Sequence, residues 1–87
     1  MAARQRRRLE IDDAVRLQMS VRRIEESEIE FVVNNPDVEE PILRRSGRAL
    51  QGRFRYRGSP RPGRKLEVEC LLRADNGMYR VISVREV

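Results

Sequence analysis

The chain has 87 residues, enough for one small domain with a single hydrophobic core and too few for two. One cysteine and no histidine exclude an internal disulfide and the usual zinc ligand sets, so we expect neither a metal nor another cofactor. No apolar run approaches the length of about 20 residues that spans a bilayer, so we expect a cytoplasmic protein with no membrane contact.

The net charge of +5 is unevenly distributed along the chain. Residues 1–40 contain seven arginines and ten acidic residues, a net charge of −3, whereas residues 41–87 contain twelve basic and four acidic residues, a net charge of +8. Residues 44–65 include nine basic residues and no acid. Such a block is typical of a surface that binds a polyanion or an acidic protein.

The first half of the chain predicts a short strand followed by two helices. Leu9 and Ile11 alternate with charged residues, which indicates a strand of about four residues. Asp12 or Asp13 then caps a helix over residues 13–22, because a short carboxylate accepts hydrogen bonds from the free N–H groups of a first turn. Five apolar residues recur near helical spacing along it: Ala14, Val15, Leu17, Met19 and Val21.

The second helix is predicted over residues 26–34. Acidic residues occupy its first turn, Ile29, Val32 and Val33 face inward at helical spacing, and Pro36 stops it. The following segment, 37–50, is predicted as a crossing that is mostly loop, with room for a short strand around Ile42.

The rest of the chain alternates between apolar and polar residues and predicts three antiparallel strands near residues 50–57, 65–73 and 78–86. The register that gives one apolar face pairs Tyr56 with Leu66, Phe54 with Val68, Gly52 with Cys70 and Leu50 with Leu72; on the other face it pairs Arg55 with Glu67 and Arg53 with Glu69. For the second hairpin the preferred register pairs Cys70 with Ile82, Val68 with Val84 and Glu67 with Arg85. Cys70 is therefore expected to be a buried, inert residue.

This order predicts an α+β domain in which two N-terminal helices pack on one face of an antiparallel sheet of about four strands. The domain is expected over residues 9–87, and the arginine-rich residues 1–8 are expected to form a flexible basic N-terminus.

Two segments, "AVRLQMSVRRI" and "EIEFVVNNPD", resemble a family of small bacterial proteins of unknown function that is related in fold to the RelE toxins. The first helix of that family often reads H-A-x-x-R-M-x-x-R-G-I, and its second helix ends in N-P. The family's histidine falls at Ala14 and its first arginine at Gln18, so any chemistry that relatives assign to those positions is missing from this chain.

The resemblance implies RNA binding and, further, an mRNA-cleaving toxin, because RelE-type ribonucleases act through arginines, lysines and a tyrosine on the sheet. Cleavage by the RNA 2′-hydroxyl requires a base, cations that stabilise the transition state and an acid. The candidates are Arg57, Arg80 and Arg85 as cations, with Tyr79, predicted on the outer face, as the acid. Arginine is a very poor base because its pKa exceeds about 12, so no general base is identified.

The nucleic-acid-binding candidates lie on the first two strands and the loop that joins them: Arg53, Arg55, Arg57, Arg61, Arg64 and Lys65. Arg53 and Arg55 have an alternative role, since cross-strand pairs with Glu69 and Glu67 would neutralise them. The predicted register places Arg57 beside Lys65. We therefore expect the tip of this hairpin to be the least neutralised basic site.

Three functions are compatible with the sequence. The first is an RNA-binding or RNA-cleaving domain that acts on RNA or the ribosome and is covered by an acidic partner such as an antitoxin. The second is a non-catalytic relative that binds protein or nucleic acid. The third is a homo-oligomer in which the acidic half of one copy faces the basic half of another.

Overall fold

The structure is a computed structural model that describes residues 6–87. Residues 1–5, the larger part of the predicted flexible N-terminus, lie outside the described residues. The elements are β1 (Leu9–Glu10), α1 (Asp13–Arg22), α2 (Glu26–Asn34), β2 (Val38–Leu43), β3 (Ala49–Arg61), β4 (Arg64–Leu72) and β5 (Tyr79–Glu86). The fold is α+β, as predicted. Within the described part of the chain, no helix combines the length and apolar character needed to cross a membrane.

The two helices lie where the sequence predicts them because their ends satisfy free backbone groups. Asp12 caps α1 by accepting a hydrogen bond of 2.9 Å from the N–H of Val15. Arg23, the residue that follows the helix, has a left-handed conformation (φ 55°), and its N–H donates to carbonyls of the last turn. At the start of α2, the Glu28 carboxylate accepts a 3.0 Å hydrogen bond from the N–H of Glu25.

The strands form one mixed sheet in the order β1-β5-β4-β3-β2. The prediction of about four antiparallel strands is therefore corrected to five strands, of which β1 runs parallel to β5. A parallel pair needs a crossover of a dozen or more residues, and residues 11–78, which contain both helices and the other three strands, connect β1 to β5. The predicted first strand is only two residues long.

The segment predicted as mostly loop contains β2, a six-residue strand at the edge of the sheet. Its acidic residues and Pro41 hide the alternation that marks other strands. Proline is tolerated there because an edge strand does not need every N–H for the ladder. β2 pairs antiparallel with β3, with Glu40 opposite Arg55 and Val38 opposite Arg57.

The pairing of β3 with β4 differs from the prediction by two residues. Tyr56 lies opposite Val68, Phe54 opposite Cys70, and Arg57 opposite Glu67. The predicted position of Arg57 beside Lys65 is therefore wrong. The strands extend further toward their hairpin than predicted, to Arg61 opposite Arg64, with an irregularity after Gly58. Because the side-chain period is two, this offset leaves each residue on its predicted face.

A bulge in β5 changes the face of the sheet on which Tyr79 lies. Val68 lies opposite Val84 and Glu67 opposite Arg85, as predicted, but Cys70 lies opposite Val81, with Ile82 as the extra residue. The expectation that Tyr79 lies on the outer face is therefore wrong. Its ring packs against the core on the helical side of the sheet.

The core lies between the helices and one face of the sheet. Ile29, Val32 and Val33 of α2 are fully buried, as predicted. In α1 only one stripe is buried, because a helix with 3.6 residues per turn turns Leu17 and Val21 away from it. These two residues are 67% and 77% exposed. The buried core comprises Val15, Met19, Ile24, Ile29, Val32, Val33, Tyr56, Leu66, Val68, Cys70, Val81 and Val84.

Candidate nucleic-acid interface

The sheet face opposite the helices, called the open face below, contains most of the predicted site residues. Arg55 and Arg57 of β3 project from it beside Glu67 and Glu69 of β4, since cross-strand neighbours share a face. The open face is therefore a mixed surface of arginines and carboxylates.

Glu67 is the centre of this surface. Its side chain is only 3% exposed, and its carboxylate lies 3.1 Å from Arg55 Nε and 3.1 Å from Arg57 NH2, with a further hydrogen bond from Arg85 Nε. Burial by itself raises the pKa of Glu67, but hydrogen bonds from Arg85 and Arg57 outweigh it, so the pKa lies below its usual value of 4.5. One buried carboxylate thus engages three of the arginines.

Arg55 makes two further ion pairs, with Glu69 Oε1 at 3.4 Å and Glu40 Oε1 at 3.3 Å. Arg80 lies 3.1 Å from Asp12, the residue that caps α1. The N–H of Val15 and the guanidinium of Arg80 hold the pKa of Asp12 below its usual value. These arginines have acidic partners, so phosphate binding would have to compete with existing contacts.

Arg53 is the exception on the open face. It is half-buried and has no ion pair among residues 6–87. It lines a shallow cleft of about 250 Å³ together with Arg80, Leu71, Val81, Ile82 and Asp12, whose carboxylate is paired with Arg80. Its guanidinium is available to a bound anion.

The hairpin tip between β3 and β4 is less basic than predicted. Arg64 is 8% exposed, and its guanidinium donates to the carbonyls of Arg22 and Arg23 at 3.2 Å and 3.1 Å, at the end of α1. Arg61 lies 3.7 Å from Glu28. Lys65 is exposed and has no ion pair within the described range.

The hairpin between β2 and β3 carries Arg44, Arg45 and Arg48, called the arginine hairpin below. The turn is held by hydrogen bonds from the N–H of Arg44 to the Arg48 carbonyl and from the N–H of Gly47 to the Arg44 carbonyl, at 2.7 Å and 2.9 Å. All three arginines are exposed, and none forms an ion pair with another part of residues 6–87. Sequence reasoning missed this site, although "RRSGR" opens the acid-free block.

The predicted catalytic residues are not brought together. Arg57 and Arg85 meet at Glu67, and Arg80 lies apart from them at Asp12. Tyr79 is on the opposite side of the sheet, where the Arg7 guanidinium lies 5.7 Å from its ring centroid. No point on the open face is therefore close to both the tyrosine and the three arginines.

Among the residues that the structure describes, no group of three or more acidic, histidine or cysteine side chains is arranged to hold a metal ion. Comparison with models of protein families, with curated proteins and with solved structures finds no match to the chain.

Proposed function

We propose that this chain is an RNA-binding domain that holds the phosphate backbone of a single strand with the arginine hairpin and Arg53. The observation that carries the proposal is that these four arginines have no acidic partner among residues 6–87, whereas most arginines of the open face do. Free guanidinium groups bind phosphate well because their planar donors match two phosphate oxygens at once.

The four arginines belong to the same end of the sheet. The arginine hairpin leads directly into β3, and Arg53 lies four residues beyond the first residue of that strand, a distance of about 13 Å along it. A flexible single strand can follow such a path, with phosphates as the contacts that fix its position.

The RelE-like relationship is part of this proposal. Two helices followed by antiparallel strands, with arginines on the face that the helices leave open, support it. We propose binding rather than cleavage as the activity, because Tyr79 lies across the sheet from Arg57, Arg80 and Arg85. Glu67 is a poor base, since its pKa is lowered and three arginines occupy its oxygens.

The test is fluorescence anisotropy with a labelled single-stranded RNA of twelve uridines, titrated between 50 and 200 mM salt. Each phosphate contact contributes about −0.7 to the log–log slope, so four contacts give a slope no steeper than about −3. The variant Arg44→Gln, Arg45→Gln removes two contacts and should make the slope shallower by about 1.4.

The matched control is the variant Arg61→Gln, Lys65→Gln, which removes two positive charges from the other hairpin. Arg61 lies near Glu28, and the control residues are at the opposite end of β3 from the arginine hairpin, so the control should change the slope by less than half as much. Equal changes in both variants would contradict the assignment to the arginine hairpin. Absence of binding at 50 mM salt would contradict RNA binding itself.

A second candidate is a protein-interaction or homo-oligomerising module, favoured by the exposed apolar residues of α1. Leu17 and Val21 are one helical turn apart and lie opposite the buried residues Val15 and Met19. Sedimentation velocity tests this candidate: self-association that is lost in Val21→Glu would favour it, and a monomer at all concentrations would argue against the homo-oligomer.

A further inference from the structure

A second basic surface lies on the helical side of the sheet, beside the last residue of β4, Leu72, and the first residue of β5, Tyr79. It is a cleft of about 440 Å³ lined by three consecutive arginines, Arg6, Arg7 and Arg8, with Asn34, Asn76 and Tyr79. A second, apolar depression of about 500 Å³ is lined by Phe54, Leu72 and Ala74. Leu72 lines both, so the two depressions are neighbours.

One side of the cleft lined by Arg6, Arg7 and Arg8, called the basic depression below, is formed by the Arg7 side chain, which is held in a fixed position. The Arg7 guanidinium donates to the Val33 carbonyl at 2.8 Å and to Glu39 at 2.7 Å, and lies 5.0 Å and 5.7 Å from the ring centroids of Tyr56 and Tyr79. These contacts hold the side chain in place.

The remaining charge in this depression is accessible to a ligand. Arg6 pairs with Glu30 at 2.6 Å and is 70% exposed. Arg8 is exposed and makes no ion pair within residues 6–87. Among residues 6–87, no carboxylate lines the depression. A bound anion would therefore contact arginine side chains, and no carboxylate from the described lining would compete with it for them.

The apolar depression is lined by the aromatic ring of Phe54, which lies near the Arg7 side of the basic depression. Phe54 is half-buried, and its ring centroid lies 6.4 Å from that of Tyr56, the ring on which Arg7 rests. Arg7 and Phe54 thus lie against the same ring, that of Tyr56, so one side chain separates the arginine-lined depression from the Phe54 ring. A ligand that fits both has an anionic group joined to a flat ring, and a volume of this size is ordinary for a small-molecule site.

We propose that this cleft binds a nucleotide, with the phosphate on Arg8 beside the Arg7 wall and the base against Phe54. The choice of ligand class rests on the proposed function. Both depressions lie on the opposite side of the sheet from Arg53, so they would bind a different part of the nucleic acid from the part that Arg53 and the arginine hairpin hold. The shared chemistry is a phosphate monoester on a nucleoside, whether a free nucleotide or the 5′-phosphorylated end of an RNA strand.

The test is titration of the full chain with uridine 5′-monophosphate, followed by backbone amide shifts in nuclear magnetic resonance spectra. We expect the largest shifts at Phe54, Asn76 and Tyr79. The variants Arg8→Gln and Phe54→Leu should each weaken binding about fivefold or more, through loss of a charge-assisted contact and of base stacking. The control Arg22→Gln also removes one exposed arginine, at the end of α1 and outside both linings, and should leave the affinity unchanged.

The proposal is overturned if inorganic phosphate binds as tightly as the nucleotide, if Phe54→Leu has no effect, or if the shifts map to the arginine hairpin. Tetrauridine with and without a 5′-phosphate distinguishes the sources. A preference for the phosphorylated strand assigns the site to RNA ends, and equal binding assigns it to free nucleotides. The mononucleotide does not report on the arginine hairpin, so this test and that of RNA binding succeed or fail separately.

Discussion

Replacing Glu67 by glutamine should be among the most damaging single changes on the open face. The substitution keeps the shape of the side chain but leaves Arg55, Arg57 and Arg85 around a neutral group. Removing one partner of a buried pair costs about 3 to 5 kcal/mol, and we expect the low end, about 3 kcal/mol, because water reaches the arginines. These arginine side chains are 30%, 38% and 60% exposed.

The measurement is urea denaturation of the wild-type chain and Glu67→Gln at a series of pH values. The pKa of Glu67 is lowered in the folded state, so its contribution is complete above the usual value of 4.5 and is lost as the pH falls through the folded-state pKa. The difference in unfolding free energy between the two proteins should therefore be constant near neutral pH and shrink in acid.

Glu69→Gln is the matched control, because Glu69 also lies on β4 and pairs with Arg55, at 3.4 Å, but is 30% exposed. An exposed pair is worth less than about 1 kcal/mol. A Glu67→Gln variant no less stable than the control, or a difference that does not change with pH, would refute the view of Glu67 as a buried centre of charge.

Three other experiments, one by thiol labelling and two by substitution, test separate features of the fold. Cys70 is fully buried, and burial raises the pKa of its thiol to about 12, so a soluble thiol reagent should label it only on unfolding; rapid labelling of the native protein would contradict this. Arg64→Gln should cost about 2 to 4 kcal/mol in thermal or urea unfolding, because the α1 carbonyls and Glu28 lose a buried donor, and a loss as small as that of Arg61→Gln would be evidence against it. Gly52→Ala should cost about 1 to 2 kcal/mol, since Gly52 has φ of +74° and an added Cβ would lie 3.1 Å from the Leu72 carbonyl oxygen, whereas Gly63→Ala, with φ of +81° and open space, should cost less.

Alternation predicted which face each residue of β3 and β4 occupies, but not which residues lie opposite each other. A shift by two residues leaves the apolar face unchanged, so the hydrophobic pattern fits both registers. The predicted register required Arg57 beside Lys65, a like-charge pair, and the observed one replaces it with Arg57 opposite Glu67. Charge pairing was therefore the signal that could have chosen between the two registers.

The site was harder to predict because local irregularities and long-range contacts determine it. The extra residue at Ile82 moves Tyr79 to the helical side, where its ring packs against the core. Alternation alone does not locate such a bulge. Arg7 belongs to the segment predicted to be flexible, yet Val33 and Tyr56 hold its guanidinium in place. Both features depend on residues far away in sequence.

The segregation of charge along the sequence is partly neutralised by folding. Four acids of the first half pair with arginines of the second: Glu10 with Arg73, Asp12 with Arg80, Glu28 with Arg64, and Glu40 with Arg55. These acids are engaged within one copy, so charge alone gives little reason for two copies to associate.

The same pairing determines how RNA binding should depend on salt. If all nine basic residues of the acid-free block contacted phosphates, the log–log slope would be about −6. Within this block, the acids of the first half and Glu67 leave the arginine hairpin, Arg53 and Lys65 without an ion pair, and the four arginines proposed as contacts give a slope of about −3. A measured slope near −6 would mean that RNA displaces the internal ion pairs, and the acids would then compete with RNA for the arginines. A slope near −3 would mean that the ion pairs persist in the complex, with RNA held by charge that folding leaves unpaired.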